Sequence, residues 1–275
     1  MILSVQISNH SYKINVNKLI DISIPLIFNG AQPNVYGVEK ATAKACEAES
    51  LIGDTRRGGS CNFEEYKFIP HCNGTHTECV GHITNERITI QDSLKDTFIP
   101  ATLVTVQPEN ASEAEDTYSV KFGNEDKLIT KKMLENALKN TDENFLQGLI
   151  IRTLPNDESK RTRTYIENSS PYFSLEAMHF IVEKKVKHLL VDVPSIDRTF
   201  DEGKLSAHRI FWNIEYGSFE PKSESFINNT ITELIFVPDK IKDGNYLLNL
   251  QIAPFATDAS PSRPIIFEVF EKSRI

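Results

Sequence analysis

The chain has 275 residues, 40% hydrophobic and 25% charged, and its 30 Lys+Arg against 38 Asp+Glu give a formal net charge of −8. A negative field of this kind repels phosphate backbones and anionic lipid surfaces, so neither nucleic acid nor a membrane is an expected partner. No apolar run approaches the roughly 18 to 20 residues that cross a bilayer. The N-terminal MILSVQISNHSYKINVNKLIDISIPL is broken by polar residues and has no signal-peptide core, which predicts a cytoplasmic protein.

The length fits one domain over residues 1–275 with one large core. Cys46, Cys61, Cys72 and Cys79 are too few for a disulfide scaffold and are read as thiols.

In chain order, residues 2 to 8 and 12 to 16 alternate polar and apolar and predict half-buried strands. The Gly- and Pro-rich stretch 29–59 predicts long loops around one short helix at ATAKACEAES. Strands are expected at 87–90, 101–106 and 118–122. Thr130 then reads as the N-cap of a helix with Met133, Leu134, Ala137 and Leu138 on its apolar face. GLIIRT reads as a buried strand. The clearest α/β unit follows: Ser174 caps a helix bearing Leu175, Met178, Ile181 and Val182, and HLLVDV at 188–193 is a continuous apolar strand that needs cover on both faces. TITELIFV at 230–237 and NYLLNLQI at 245–252 predict paired strands around DKIKDG. The charged loop NDESKRTRTYIENSS is expected to be a solvated surface segment.

Three of the seven histidines fall within HCNGTHTECVGH, residues 71 to 82, together with Glu78, Cys72 and Cys79. In an extended chain His76, Glu78 and His82 share one side, so one strand edge presents imidazole, carboxylate and imidazole to one point. Gly74 lets the backbone pass close to an ion. Such groups are ordinary zinc ligands in catalytic sites, and mixed nitrogen and oxygen shells also accept manganese or iron. A lone histidine is more often a polar loop residue or a satisfied core group. Here the crowding of ligand types sets metal binding level with that reading, and both stay open on these residues alone. Cys72 and Cys79 lack the C-x-x-C spacing of a structural zinc site and default to buried thiols.

This segment resembles the metal-dependent cyclase family, which includes bacterial kynurenine formamidases and carries H-x-G-T-H-x-D-x-P-x-H. Gly74, Thr75, His76, Glu78 and His82 occupy the G-T-H-x-D-x-x-x-H positions. DISIPL at 21–26 is similar to the family's D-[IL]-S-x-P-L, VPSID at 193–197 to its T-P-S-L-D, and AHR at 207–209 to its A-H-R. ELIFVPDKIKDGNYLLNLQIAPF and SPSRP at 260–264 are similar to its closing blocks. The resemblance spans residues 21 to 264 and implies an α/β fold, a mixed, barrel-like sheet with helices outside. It further implies a divalent metal, zinc or manganese, as one or two ions, a small-molecule substrate, and a homo-oligomer, dimer or tetramer. Carried over by position, His76 and Glu78 bind metal, His208 and Glu233 complete a second or shared position bridged by Glu78, and His82 is the acid/base group. The implied activity is hydrolysis of an amide, or of a cyclic amide or ester, by metal-activated water. The alternative is a non-catalytic metal- or ligand-binding protein that kept the fold.

Two departures from the family pattern matter. The first family histidine stands four residues before the G-T-H histidine. Cys72 holds that place here, and His71 stands one residue earlier. Either a bulge brings His71 to the metal or Cys72 replaces it, and the retained Pro70-His71 pair favours His71. Glu78 replaces aspartate and reaches one methylene further. At the substrate end, Val35 with Tyr36 beside it stands where formamidases place a tryptophan, which argues against kynurenine formamide. Arg56 and Arg57, in the inserted GDTRRGGSCN, either clamp a substrate carboxylate or solvate the loop.

Overall fold

The alternating N-terminal segments pair as an antiparallel ladder, β1 (Ile2–Ile7) with β2 (His10–Asn15). The computed structural model describes residues 1–167 and 169–271. Among these, β1 and β2 belong to an eleven-stranded sheet. Its other members are β3 (Ile20–Asp21), β4 (His76–Glu78), β5 (Phe98–Val106), β6 (Gly148–Thr153), β7 (His188–Val191), β8 (Thr230–Glu233), β9 (Gly244–Asn249), β10 (Ala259–Pro261) and β11 (Ile265–Glu271). The order across the sheet is β1-β2-β11-β9-β5-β6-β7-β8-β4-β10, with β3 on β11. The central run from β5 to β8 is parallel, and the flanking pairings are antiparallel.

Segment 20–23 curls the sheet into a barrel. On one side Asp21 pairs with Ile265; on the other, Ser23 bridges Ile235 and the Phe236 N–H donates to Ile22 O at 2.8 Å. Alternation then sorts the side chains. Ile99, Ala101 and Leu103 of β5, Ile150 of β6 and Leu190 of β7 point inward and pack with Ile22, Tyr246, Leu248 and Ile266. Val104, Val106, Leu149, Ile151, Leu189 and Val191 point outward. Helices α3 (Lys131–Leu138), α4 (Leu175–Glu183) and α5 (Ser206–Trp212) cover that outer face. Two one-turn helices, α1 (Pro70–Asn73) and α2 (Ile90–Ser93), precede them. The fold is α/β with a large mixed, barrel-like sheet.

Ser174 caps α4 as expected, its Oγ accepting from Ala177 N at 3.0 Å. Thr130 occupies the N-cap position of α3, but its hydroxyl bonds Glu109 instead of the helix. Other expectations fail where partners outside the local window decide. ATAKACEAES forms no helix: Thr42–Ala45 pairs with Glu64–Lys67, and Glu47–Ala48 with Leu51–Ile52. Residues 87–90 and 118–122 are not strands. β8 and β9 are not a hairpin, because β8 lies between β7 and β4 while β9 lies between β5 and β11. Arg152, buried at the end of β6, holds the crossing between them by donating to the carbonyls of Pro238 and Ile241, each at 2.9 Å. The charged loop is partly core. Lys160 is buried against Asp192 at 2.8 Å, and Tyr165 is buried as well; Asn168 of that loop lies outside the described residues.

Candidate metal centre

The antiparallel register of β4 on β8 sets His76 opposite Glu233. Period-two alternation turns Glu78 to the same face and Thr77 to the other, where it bonds Thr232 at 2.8 Å. Only His76–Glu78 is extended. The chain then makes a 3-10 turn, Val80–His82, which carries His82 back to the cluster.

His71 arrives by a device other than a bulge. Pro70 opens the single helical turn of α1, and Asn73 Oδ1 closes it by accepting from Ile69 N at 2.7 Å. Successive residues of a helix point about 100° apart. His71 therefore faces Glu78, Nδ1 to Oε2 2.9 Å, while Cys72 turns into an apolar cluster with Ile24, Val35, Tyr165, Leu234 and Phe236. Burial pushes the Cys72 thiol up to about 11. Gly74 has an extended backbone, and its carbonyl accepts from His76 Nδ1 at 3.1 Å, so it serves as a hydrogen-bond anchor.

His208 comes from α5. Asp197, in the loop after β7, accepts from the backbone N–H of Ala207 and His208 at 2.7 and 3.1 Å and from His208 Nδ1 at 2.6 Å. Tyr118 donates to the other side of Asp197 at 2.6 Å. His208 Nε2 then meets Glu78 Oε1 at 2.9 Å and stands 3.8 Å from Glu233. Glu233 is held by the Ile196 N–H at 2.9 Å. Sequence reasoning missed Asp258, which accepts from His71 Nε2 at 2.9 Å and His82 Nδ1 at 3.3 Å. It also read Asp197 only as part of a landmark block.

Burial by itself would raise Glu78, yet His82, His208 and His71 hold its carboxyl well below the usual range. Burial opposes the charge on His71, but Asp258 and Glu78 lift it to about 10. His208 is lifted well above its ordinary value by Asp197 and Glu78 despite burial. Four imidazoles and four carboxylates thus converge, with His76, Glu78, His208, Glu233 and Asp197 buried and His71, His82 and Asp258 half-buried at the open side.

Whether a cation suits this set is tested by His76. Its Nδ1–H donates to Gly74 O, which leaves Nε2 an acceptor; that atom is buried and has no hydrogen-bond partner among the described residues. The nearest charged atom is Glu233 Oε2 at 3.5 Å, another acceptor. Two facing lone pairs in a dry site are satisfied by a cation, so the residues fit one. Three sets have ligand atoms within 4.8 Å of one another: His71, His76 and Glu78; His71, His82 and Asp258; and Glu78, His82 and His208. Glu233 lies beside these sets and outside them. Val35 is buried in the cluster that holds Cys72, and Tyr36 beside it is exposed. Arg56 is bound bidentately to Asp54, at 2.9 Å for both contacts, and Arg57 pairs with Glu47.

A barrel-like α/β sheet with a His/Glu cluster at the carboxyl ends of its parallel strands defines a protein with a candidate metal site. Residues 20–198, more than half of the chain, match the family model described as "Putative cyclase", and the chain belongs to that cyclase family. Its fold is similar to that of a "predicted metal-dependent hydrolase" from Bacillus stearothermophilus, at 16% identity and TM-score 0.57 over 91% of this chain and 98% of that one. It is also similar to isatin hydrolase A from Labrenzia aggregata bound to benzyl benzoate, at 14% identity and TM-score 0.60 over 91% and 93%. Isatin hydrolase A from Ralstonia solanacearum gives 12% identity and TM-score 0.58 over 91% of each chain. At these identities the likeness establishes the fold. No curated sequence relative matches the chain. Among the described residues no helix is long and apolar enough to cross a membrane.

Proposed function

We propose that residues 1–275 form one metal-dependent hydrolase domain that opens an amide, a cyclic amide or a cyclic ester of a small molecule. The observation that carries this reading is the buried, unpartnered His76 Nε2 facing Glu233, beside Glu78 and His71. His71, His76 and Glu78 would hold one divalent cation, zinc or manganese. His208 and Glu233 stand beside Glu78 and with it would hold a second cation where one is bound. When bound, such a cation supplies a water of lowered pKa and polarises the substrate carbonyl.

The chain's own residues do the rest. His82 donates from Nδ1 to Asp258, which leaves Nε2 free to take a proton at the half-exposed side of the cluster and pass it to the leaving nitrogen or oxygen. Asp258 orients both His82 and His71, and Asp197 fixes the tautomer and position of His208. Burial of Glu78, His76 and His208 keeps water from competing for their lone pairs. The cytoplasm and a homo-oligomeric assembly belong to the same reading. The likeness to isatin hydrolases supports a cyclic amide as the first substrate class to try.

The test is turnover of isatin, N-formyl arylamines and small lactones by protein reconstituted with zinc or with manganese. Hydrolysis of at least one class, abolished by a chelator and restored by metal, is expected. Stoichiometric metal without turnover of any class would favour the non-catalytic binding protein.

A further inference from the structure

β1 is one end of the eleven-stranded sheet and among the described residues pairs with β2 alone. The two strands run in unbroken register from Ile2 opposite Asn15 to Ile7 opposite His10. An antiparallel ladder of this kind alternates bonded and unbonded pairs. The Val16 N–H donates to Met1 O at 3.2 Å, which fixes the phase: Leu3, Val5 and Ile7 bond β2. The N–H and C=O groups of Ile2, Ser4 and Gln6 therefore point away from β2, and all three residues are exposed.

Open edges are ordinarily guarded by charge, proline, a bulge or shortness. β10, at the other end of the strand order, is three residues long and ends in Pro261. β1 has six residues, ILSVQI, with no charge, no proline and no bulge. The hairpin of β1 and β2 also precedes residue 20, where the match to the cyclase family model begins, so it is no part of what defines that family. Although the chain carries a net charge of −8, two copies meeting along β1 bring no like charges together on that strand.

We propose that two copies of this chain pair through β1, antiparallel about a twofold axis at Ser4, so that one sheet runs across the dimer. An antiparallel edge is complementary to itself about such an axis. Ser4 then meets Ser4 of the partner subunit and Ile2 meets Gln6 of the partner subunit, so every outward group of the three residues gains a partner. Any other twofold register leaves at least one of the three with no strand residue opposite. The same register sets Leu3 beside Val5 of the partner subunit, on the face where Val5 packs with Ile14, Leu247 and Phe267. That small core thus continues across the axis and covers Leu3, which is 36% exposed in the single chain. A second copy supplies matching length, phase and apolar face together. This pairing gives the homo-oligomer of the preceding reading its interface and rests on that part of it, independently of the hydrolytic chemistry.

The experiment follows the full chain by sedimentation velocity from micromolar to near-millimolar concentration, with amide hydrogen exchange read by NMR at both ends of that range. Self-association is expected, and in the associated state the amides of Ile2, Ser4 and Gln6 should be protected. Those of Leu3, Val5 and Ile7 should be protected in the monomer as well, because β2 already holds them. Ser4→Lys sets two like charges face to face on the axis and should weaken the dimer by about ten-fold. A chain that stays monomeric throughout overturns the pairing together with the homo-oligomer. An oligomer whose Ile2, Ser4 and Gln6 amides exchange freely, or whose dissociation constant does not rise in Ser4→Lys, overturns the pairing and leaves the homo-oligomer to another face.

Discussion

Glu78 and His208 lie 130 residues apart in the chain and meet at 2.9 Å, Oε1 to Nε2, with both side chains buried. One strand of the antiparallel flank and one short outer helix are thereby joined at a single carboxylate, whose other oxygen lies 2.9 Å from His71. Glu78→Gln removes the charge while keeping the shape, so the variant should hold less than about a tenth of the wild-type metal, since a neutral amide is a poor ligand for zinc or manganese. Elemental analysis after reconstitution and desalting checks this. Full metal content in the variant would place the ion elsewhere.

His82 is half-buried and its Nε2 stands 4.0 Å from Glu78 Oε2. His82→Ala should retain metal and lose about two to four orders of magnitude in kcat, the usual worth of a general acid/base. Metal analysis and kinetics on the same preparation separate the roles, because loss of metal would make His82 a ligand.

His71 and Cys72 are adjacent but face different surroundings. Cys72→Ser should keep its metal and lose about 1 to 3 kcal/mol of stability by placing a hydroxyl in an apolar cluster. His71→Ala should lose much of its metal. Cobalt-substituted protein should show no intense thiolate-to-metal charge-transfer band; the appearance of that band would mean Cys72 ligates.

Asp258 contacts two of the imidazoles and belongs to no local motif. Asp258→Asn should lower kcat by about 10- to 100-fold with metal content preserved, the size expected for a group that orients a functional histidine. Activity within two-fold of wild type would show that His71 and His82 need no such support.

His188 is fully buried between Thr230 and Asp96. Burial pushes it down to about 4 from an ordinary 6.5, against the pull of Asp96. The unfolded chain therefore takes up a proton from pH 6.5 downward while the folded chain does not until near pH 4. The stability linked to this group is fully present above pH 6.5, falls between 6.5 and 4, and is lost below. The amount is roughly 3 kcal/mol at 1.36 kcal/mol per unit. Urea unfolding of chelator-treated protein at pH 7 and pH 4.5 should show a smaller pH dependence in His188→Gln than in wild type. Equal slopes in the two proteins would sink this assignment.

The sequence by itself determined whatever repeats within one element. Alternation in residues 2–7 and 10–15, the buried strands GLIIRT and HLLV, the apolar faces of α3 and α4, and the crowding of His71, His76, Glu78 and His82 were all legible, because each depends on periods of two or 3.6 residues or on plain proximity. His208 and Glu233 were legible only through resemblance. What the tertiary structure alone decided are the contacts with no period at all. Asp258 reaches His71 across 187 residues, β9 chooses β5 and β11 over its neighbour β8, and Thr42–Ala45 extends because Glu64–Lys67 pairs with it. Likewise, His71 faces Glu78 because a proline-initiated helical turn rotates Cys72 into the core. Each of these choices is made by hydrogen-bond partners and apolar surface that arrive from distant sequence, and no local window contains them.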